Sequence, residues 1–540
     1  MDGDGVGGSM HVVMLPWLAF GHILPFAEFA KRVARQGHRV TLFSTPRNTR
    51  RLIDVPPSLA GRIRVVDIPL PRVEHLPEHA EATIDLPSND LRPYLRRAYD
   101  EAFSRELSRL LQETLFGAAA LCFFGPAETL QGRGPYAKTE PAHLTAVPEY
   151  VPFPTTVAFR GYEARELFKP SLIPDESGVS ESYRFSQSIE GCQLVAVRSN
   201  QEFEPEWLEL LGELYQKPVI PIGMFPPPPP QDVAGHEETL RWLDRQEPNS
   251  VVYAAFGSEV KLTAEQLQRI ALGLEASGLP FIWAFRAPPD AGDGDGLPGG
   301  FKERVNGRGV VCRGWVPQGK FLAHASVGGF LTHAGWNSIA EGLANGVRLV
   351  LLPLMFEQGL NARQLAEKKV AVEVARDEDD GSFAANDIVD ALRRVMVGEE
   401  GDEFGVKVKE LAKVFGDDEV NDRYVRDFLK CLSEYKMQRQ GYCTSSPHRL
   451  NPRSSSGSGV YGSGGGGRTH VEKRAVRTTS PPHPPAHGHR HGTDATAGLK
   501  GNPYAVGVDA VMEFPGNPWY GPDRVIYLRL LSGEFPGYYG

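Results

Sequence analysis

The 540-residue chain is too long for a single hydrophobic core, so at least two domains are expected. Its composition, 41% hydrophobic and 23% charged, is that of an ordinary soluble globular protein. A net charge of -9 argues against wholesale nucleic-acid binding, which calls for a basic surface.

Residues 1–9 are Gly-rich and acidic, lack the basic start of a signal peptide, and are expected to be disordered. The first alternation follows. His11–Trp17 is a short apolar run that reads as a strand, and Ile23–Gln36 has helical periodicity ended by Gly37. His38–Thr45 and Arg62–Leu70 read as further strands, and Arg92–Leu115 as one long helix. Strand, helix and strand joined by short turns imply a parallel sheet wrapped by helices. The prolines Pro226–Pro230 form a stiff extended run that cannot enter a core and mark an interdomain linker. A second alternation starts near Ser250, with strands at Val251–Phe256, Phe281–Phe285, Gly309–Cys312, Gly328–Thr332 and Leu349–Leu354 and a helix at Ala264–Ser277. After about Lys436 the sequence turns Ser/Gly-rich, then Pro/His-rich, and buries too little apolar surface to fold.

Cys122, Cys192, Cys312, Cys431 and Cys443 are scattered and form no CxxC pair, which fits free thiols in a reducing compartment. No apolar run approaches the roughly 20 residues of a membrane helix. A cytoplasmic protein without a membrane span is expected.

The stretch Trp315–Gln358 carries the chemistry. Its strand Gly328–Thr332 turns through His333-Ala-Gly-Trp-Asn-Ser338 into a helix, and a helix N-terminus suits a phosphate. Gly335 lets the backbone come close, Asn337 and Ser338 can cap the helix and donate to phosphate oxygens, and His333 adds a donor. Trp315 offers an aromatic plane for a base and Glu341 an acceptor for ribose hydroxyls, while Glu357 and Gln358 follow the next strand and can grip sugar hydroxyls. His324 reads as a structural histidine. No G-x-G-x-x-G follows a strand, so a nicotinamide-binding domain is disfavoured.

The stretch closely resembles the plant secondary-product glycosyltransferase signature of family 1 UDP-glycosyltransferases, from its opening W-x-P-Q through T-H-x-G-W-N-S to the closing acidic-Gln pair. The resemblance implies an α/β fold of the GT-B type, with two Rossmann-like domains facing a cleft. It implies that Trp315 stacks on uracil with Val316 beside it, and that Gln318 lies near the ribose or base. His333, Gly335, Asn337 and Ser338 then hold the diphosphate, Glu341 the ribose, and Trp336, Glu357 and Gln358 the sugar. The family usually has Asp at the place of Glu357, and its terminal Gln is more typical of glucose users. Phe256-Gly-Ser-Glu259 resembles the other phosphate-side loop, with Ser258 as the contact.

His22 follows the first strand in Pro16-Trp-Leu-Ala-Phe-Gly-His22, at the carboxyl end where open α/β sheets place their sites. A neutral imidazole there can take the proton of an attacking hydroxyl, the role the family's histidine has. The family's base leans on an aspartate carried by a strand after a long helix, in a D-W-(apolar)-D stretch. Here Phe116–Gly125 resembles the family's next strand and loop, beyond that aspartate, so a βα unit of roughly 25–30 residues is absent. The N-terminal sheet is expected to lack a strand or to fill its place irregularly, and catalysis to be impaired. Asp85 and Asp90 belong to a loop near the acceptor and are not catalytic partners in this reading.

The expected organisation is a disordered start at 1–9, an acceptor domain at 10–222, a linker at 223–236, a UDP-sugar domain at 237–416, a returning helix at 417–436 and a mostly disordered tail at 437–540. The wording W-L-A-F-G-H and S-T-P-R-N is nearest to a subgroup that glycosylates flavonoid or terpenoid glycosides. Within the tail, Gly516–Arg524 and Gly533–Gly537 resemble the N-terminal stretch of light-harvesting chlorophyll a/b-binding proteins, without their membrane helices. His483, His487, His489 and His491 lack an ordered scaffold for a metal. The expectation is a monomeric, inverting, metal-free UDP-sugar-dependent transferase that needs no cofactor, its partners a UDP-sugar and a small-molecule acceptor. The alternative is a UDP-sugar binder impaired in transfer.

Overall fold

The computed structural model describes residues 9–107, 111–114, 117–175, 178–229, 233–286, 296–441 and 524–531, with backbone alone at 104–107, 111–114, 435–441 and 524–531. One compact unit joins Met1–Glu434 with Val508–Gly540; the other is Tyr435–Gly507, of which only the end of the last helix is described.

The first unit contains two fully parallel sheets. In the second half of the sequence, β7 (Val251–Ala255), β8 (Phe281–Phe285), β9 (Gly309–Arg313), β10 (Val327–Thr332), β11 (Arg348–Leu351) and β12 (Ala371–Glu373) run in the order β12-β11-β10-β7-β8-β9. Their apolar runs are buried on both faces, as helices on either side of a parallel sheet require. Gly328 in β10 has no room for a side chain: a Cβ there would lie 2.1 Å from the Asn249 carbonyl oxygen. This is the GT-B arrangement of two Rossmann-like sheets.

In the first half, β1 (Met10–Leu15), β2 (Arg39–Ser44), β3 (Ile63–Asp67), β4 (Leu111–Thr114), β5 (Val195–Val197) and β6 (Val219–Pro221) are joined by β13 (Arg524–Leu531), in the order β3-β2-β1-β13-β4-β5-β6. The place between β1 and β4 is thus filled from the far end of the chain. Met10–Leu15 pairs with Arg524–Arg529, and Leu528–Leu531 pairs with Leu111–Thr114. The rest of the tail, including the four histidines and Cys443, lies outside the described residues, as do residues 1–8.

Two sequence expectations are corrected next to this junction. The long helix stops at Leu107, and Leu111–Thr114 is a strand, not the helix end. Pairing on both sides, with β13 and with β5, overrides a local helical pattern that propensity supports only weakly. The following Ala118–Phe124 is a helix, not a strand. The sheet offers it no place, its three alanines favour helix, and buried Glu204 accepts the backbone N–H groups of Ala118 and Ala119 at 3.1 and 3.0 Å.

The last helix, Asp418–Gly441, runs back over the first sheet's helix Phe20–Arg35. Arg32 pairs with Asp418 and Asp422, each at 2.6 Å, and Phe29 packs on Phe428 and Phe225. Asn421 accepts from the backbone N–H of Met224 and of Phe225, both at 2.8 Å, just before the proline run. Among the described residues no helix is long and apolar enough to cross a membrane.

Candidate active site

β10 leads through His333-Ala334-Gly335 into the helix Trp336–Ala344. The N-cap is Gly335, and no side chain caps the helix. Asn337 and Ser338 were expected as caps but occupy the first turn itself, because the helix begins one residue earlier, at Trp336. A glycine cap carries no oxygen acceptor, so the first-turn N–H groups face a potential anion without a competing side chain. The imidazole of His333 is wedged between two glycines: a Cβ on Gly335 would lie 2.5 Å from its Nε2, and one on Gly257 2.8 Å from its Cε1. Ala334 adopts a left-handed φ of 64°, an uncommon conformation for a residue with a Cβ, and Asn361 Nδ2 donates to its carbonyl at 3.0 Å. Burial holds His333 down at about 4, so the ring is neutral at pH 7.

The neighbouring donor-side residues divide by how far their side chains are committed. Trp315 is 66% exposed, and its ring plane is available to a base. Gln318 donates to Glu341 at 3.0 Å and accepts from the Tyr253 hydroxyl at 3.2 Å, and its backbone N–H bonds to the Val316 carbonyl at 2.8 Å. Burial raises the Glu341 carboxyl, while the Gln318 hydrogen bond pulls the other way. Trp336 is buried, and its indole N–H goes to the Arg198 carbonyl at 2.9 Å. Gln358 accepts from the backbone N–H of Leu354 and Met355 at 2.9 and 3.0 Å, which leaves its amide NH2 to offer. Glu357, buried beside left-handed Phe356, starts the helix Gln358–Glu367. Ser258 follows β7, its carbonyl held by Arg286 at 3.0 Å.

His22 lies in the first turn of the helix Phe20–Arg35 and is buried. The donor helix reaches its immediate neighbour: Asn337 Nδ2 donates to the Gly21 carbonyl at 2.7 Å. Arg198, fully buried after β5, donates to Asn337 Oδ1 and to the Met224 carbonyl. Burial lowers His22 to about 4; Glu259 opposes the shift, and Arg96 and Arg92 add to it. Asp85 is taken up by Arg51 at 2.8 and 2.9 Å, and Asp90 accepts from Ser88. Sequence reading named residues on both the Asn337 and the His22 sides of this contact but gave no part to Arg198, Glu204 or Glu259. A position just past a strand's carboxyl end was the only signal for Arg198. His324 bonds Ser326 and Asp244, consistent with a structural role.

Among the described residues no three His, Cys, Asp or Glu side chains converge as a metal site, and Cys122, Cys192, Cys312 and Cys431 are free thiols. Residues 237–421 match the family model described as UDP-glucoronosyl and UDP-glucosyl transferase. UDP-glycosyltransferase 91C1 of Arabidopsis thaliana is 42% identical over 454 residues, covering 78% of this chain and 96% of the relative. Soyasaponin III rhamnosyltransferase of Glycine max is 36% identical over 468 residues, covering 81% and 98%. The solved structure of Phytolacca americana UGT2 with UDP-2fluoro-glucose and pterostilbene superposes with a TM-score of 0.56 at 28% identity, covering 79% of this chain and all of that one. Glycyrrhiza uralensis UGT73P12, complexed with glycyrrhetinic acid 3-O-monoglucuronide, gives 0.64 at 22% identity over 81% and 98%.

Proposed function

The chain belongs to the UDP-glucoronosyl and UDP-glucosyl transferase family, and on that premise we propose that it moves a sugar, glucose first among candidates, from its UDP conjugate to a hydroxyl of a small plant metabolite or its glycoside. Residues 10–222 hold the acceptor and 237–416 the donor, with 223–236 as linker and 417–436 as the returning helix. The observation that carries this reading is the 2.7 Å bond from Asn337, in the first turn of the donor helix, to Gly21, the residue before His22. Leaving group and base then belong to one site.

The uracil stacks on Trp315, the ribose meets Glu341 through its Gln318-braced carboxylate, and the diphosphate sits at the first turn of Trp336–Ala344 with His333 beside it. Glu357 and the Gln358 amide orient the sugar. The acceptor oxygen attacks the anomeric carbon from the face opposite UDP. The new C–O bond forms as the bond to the β-phosphate oxygen breaks, and its electron pair leaves with UDP. The hydroxyl proton passes to neutral His22, with inversion at the sugar. Helix N–H groups and polar side chains meet the phosphate charge, so this reading calls for no metal.

One observation favours a second reading, a UDP-sugar binder that transfers poorly. The strand in the place where the resemblance puts the partner aspartate reads Arg-Val-Ile-Tyr-Leu-Arg-Leu-Leu531 and holds no acid. Titration calorimetry with UDP and UDP-glucose, run beside transfer to a panel of flavonoid and terpenoid glycosides, separates the two. Binding with β-linked product supports the transferase, binding without product supports the second reading, and no binding removes both. Product from UDP-rhamnose alone would reassign the donor.

A further inference from the structure

We propose that Glu259, a carboxylate from the donor half, is the positioning residue for His22, doing from across the cleft what the missing strand's aspartate does in the resembling family. The proposal rests on His22 being the base.

Glu259 follows the glycine turn after β7 and bridges to the acceptor half at two points. Its Oε1 accepts from the Thr83 hydroxyl, and its Oε2 accepts from Arg92 Nη2 at 2.7 Å. Its side chain is only 15% exposed, so water screens it weakly. Thr83 in turn donates its backbone N–H to the Leu18 carbonyl at 2.9 Å, in the loop that leads into the helix carrying His22. A second strut lies beside it, where Lys261 Nζ donates to the Leu86 carbonyl at 2.8 Å. The carboxylate is therefore fixed against the base loop.

The charges around the imidazole show why it matters. Arg92 and Arg96, both on the helix Arg92–Leu107, oppose a positive His22, and Glu259 is the carboxylate that favours one. Glu259 acts twice, attracting the imidazolium and neutralising Arg92. Arg96 is separately occupied by Glu181 at 3.0 Å and by the face of Trp17. As the acceptor proton arrives on His22, Glu259 stabilises the charge that forms, and it can do so only while the two halves are closed on each other.

The test uses the full chain and three variants, Glu259→Gln, Glu259→Asp and Thr83→Val. Two readouts are taken: the His22 titration midpoint by NMR, and kcat and KM for glucosyl transfer. For Glu259→Gln the midpoint should fall by about half a pH unit or more. Its kcat at neutral pH should drop about tenfold to a hundredfold, with KM for UDP-glucose within about twofold of wild type. Glu259→Asp keeps the charge but sets it one methylene farther back and should lower the midpoint by less than Glu259→Gln does, while Thr83→Val removes a strut without removing charge and should not move it. An unmoved midpoint in folded Glu259→Gln overturns the proposal, and so does a loss confined to the acceptor KM, which marks a substrate contact. Should Glu259→Gln fail to fold, a midpoint lowered in Glu259→Asp supports the proposal, since the shorter acid reaches less far, and an unmoved one refutes it. Undiminished transfer by His22→Ala would refute the base reading instead, whatever the midpoint in Glu259→Gln does.

Discussion

Ending the chain at Gly441 removes β13 and should open the first sheet while sparing the second. β13 pairs along six residues of β1 and four of β4. β1 is buried along its whole length, so water does not replace the lost partners cheaply. In a parallel ladder about half of a strand's backbone groups point to each neighbour, so roughly six groups of β1 lose a partner. At about 1–3 kcal/mol for each buried unsatisfied group, the loss is on the order of 10 kcal/mol, comparable with the stability of a whole domain. Hydrogen exchange followed by mass spectrometry reads this directly. Amides of Met10–Leu15 should be protected in the full chain and should exchange rapidly in the truncated one, whereas Val327–Thr332 should stay protected in both. Equal protection of Met10–Leu15 in the two proteins would show that the terminal strand does not complete the sheet.

Trp315→Ala removes a side chain that the fold hardly uses, so the melting temperature should hold while UDP binds about tenfold to a hundredfold more weakly by calorimetry. Gly257→Ala meets both a left-handed φ of 72° and the His333 ring, whereas Gly278→Ala meets a φ of 74° with open space around it. Both should lose about 1–2 kcal/mol of stability, and only Gly257→Ala should also weaken UDP binding; equal affinities would free His333 of that role. His22 and His333, each held at about 4 against 6.5 when unfolded, make the unfolded chain bind more protons between those values. Stability from them is complete above pH 6.5 and falls as pH drops, by about 2 kcal/mol each at pH 5. Glu181, pushed up to about 7 by burial against the pull of Arg96, works the other way, and its contribution is lost as pH rises from 4.5 through 7. His333→Gln in denaturant titrations at pH 7 and 5 should therefore show a smaller pH loss than wild type, and an equal loss would contradict the assignment.

What the sequence disclosed depends on how far apart the cooperating residues lie. The donor half was legible because its chemistry is contiguous: strand, glycine turn and helix from Gly328 to Ala344 follow one another, and each local preference agrees with the final fold. The helix start was misread by a residue because Gly335 caps without a side chain. Leu111–Thr114 and Ala118–Phe124 were misread because long-range facts settle them. The first gains ladder partners that lie 83 and 417 positions away, Val195 for its Gln112 and Leu528 for its Leu111. The second owes its start to Glu204, a residue 86 positions downstream. No window of local sequence contains such information.

The same distance separates what can be transferred by motif from what must be read from coordinates in the site itself. A base, unlike a phosphate cradle, is defined by what surrounds it, because its strength is set by burial and by charges that arrive from several elements. His22, the proposed base, follows this rule. Its loop, Arg92 and Arg96 come from the first half, Asn337 and Glu259 from the second, and the sheet beneath it borrows a strand from the other end of the chain. Removing a βα unit from such a site therefore does not simply delete a function. Under the proposal above it transfers the demand for a carboxylate to Glu259, which Thr83 and Arg92 hold in place.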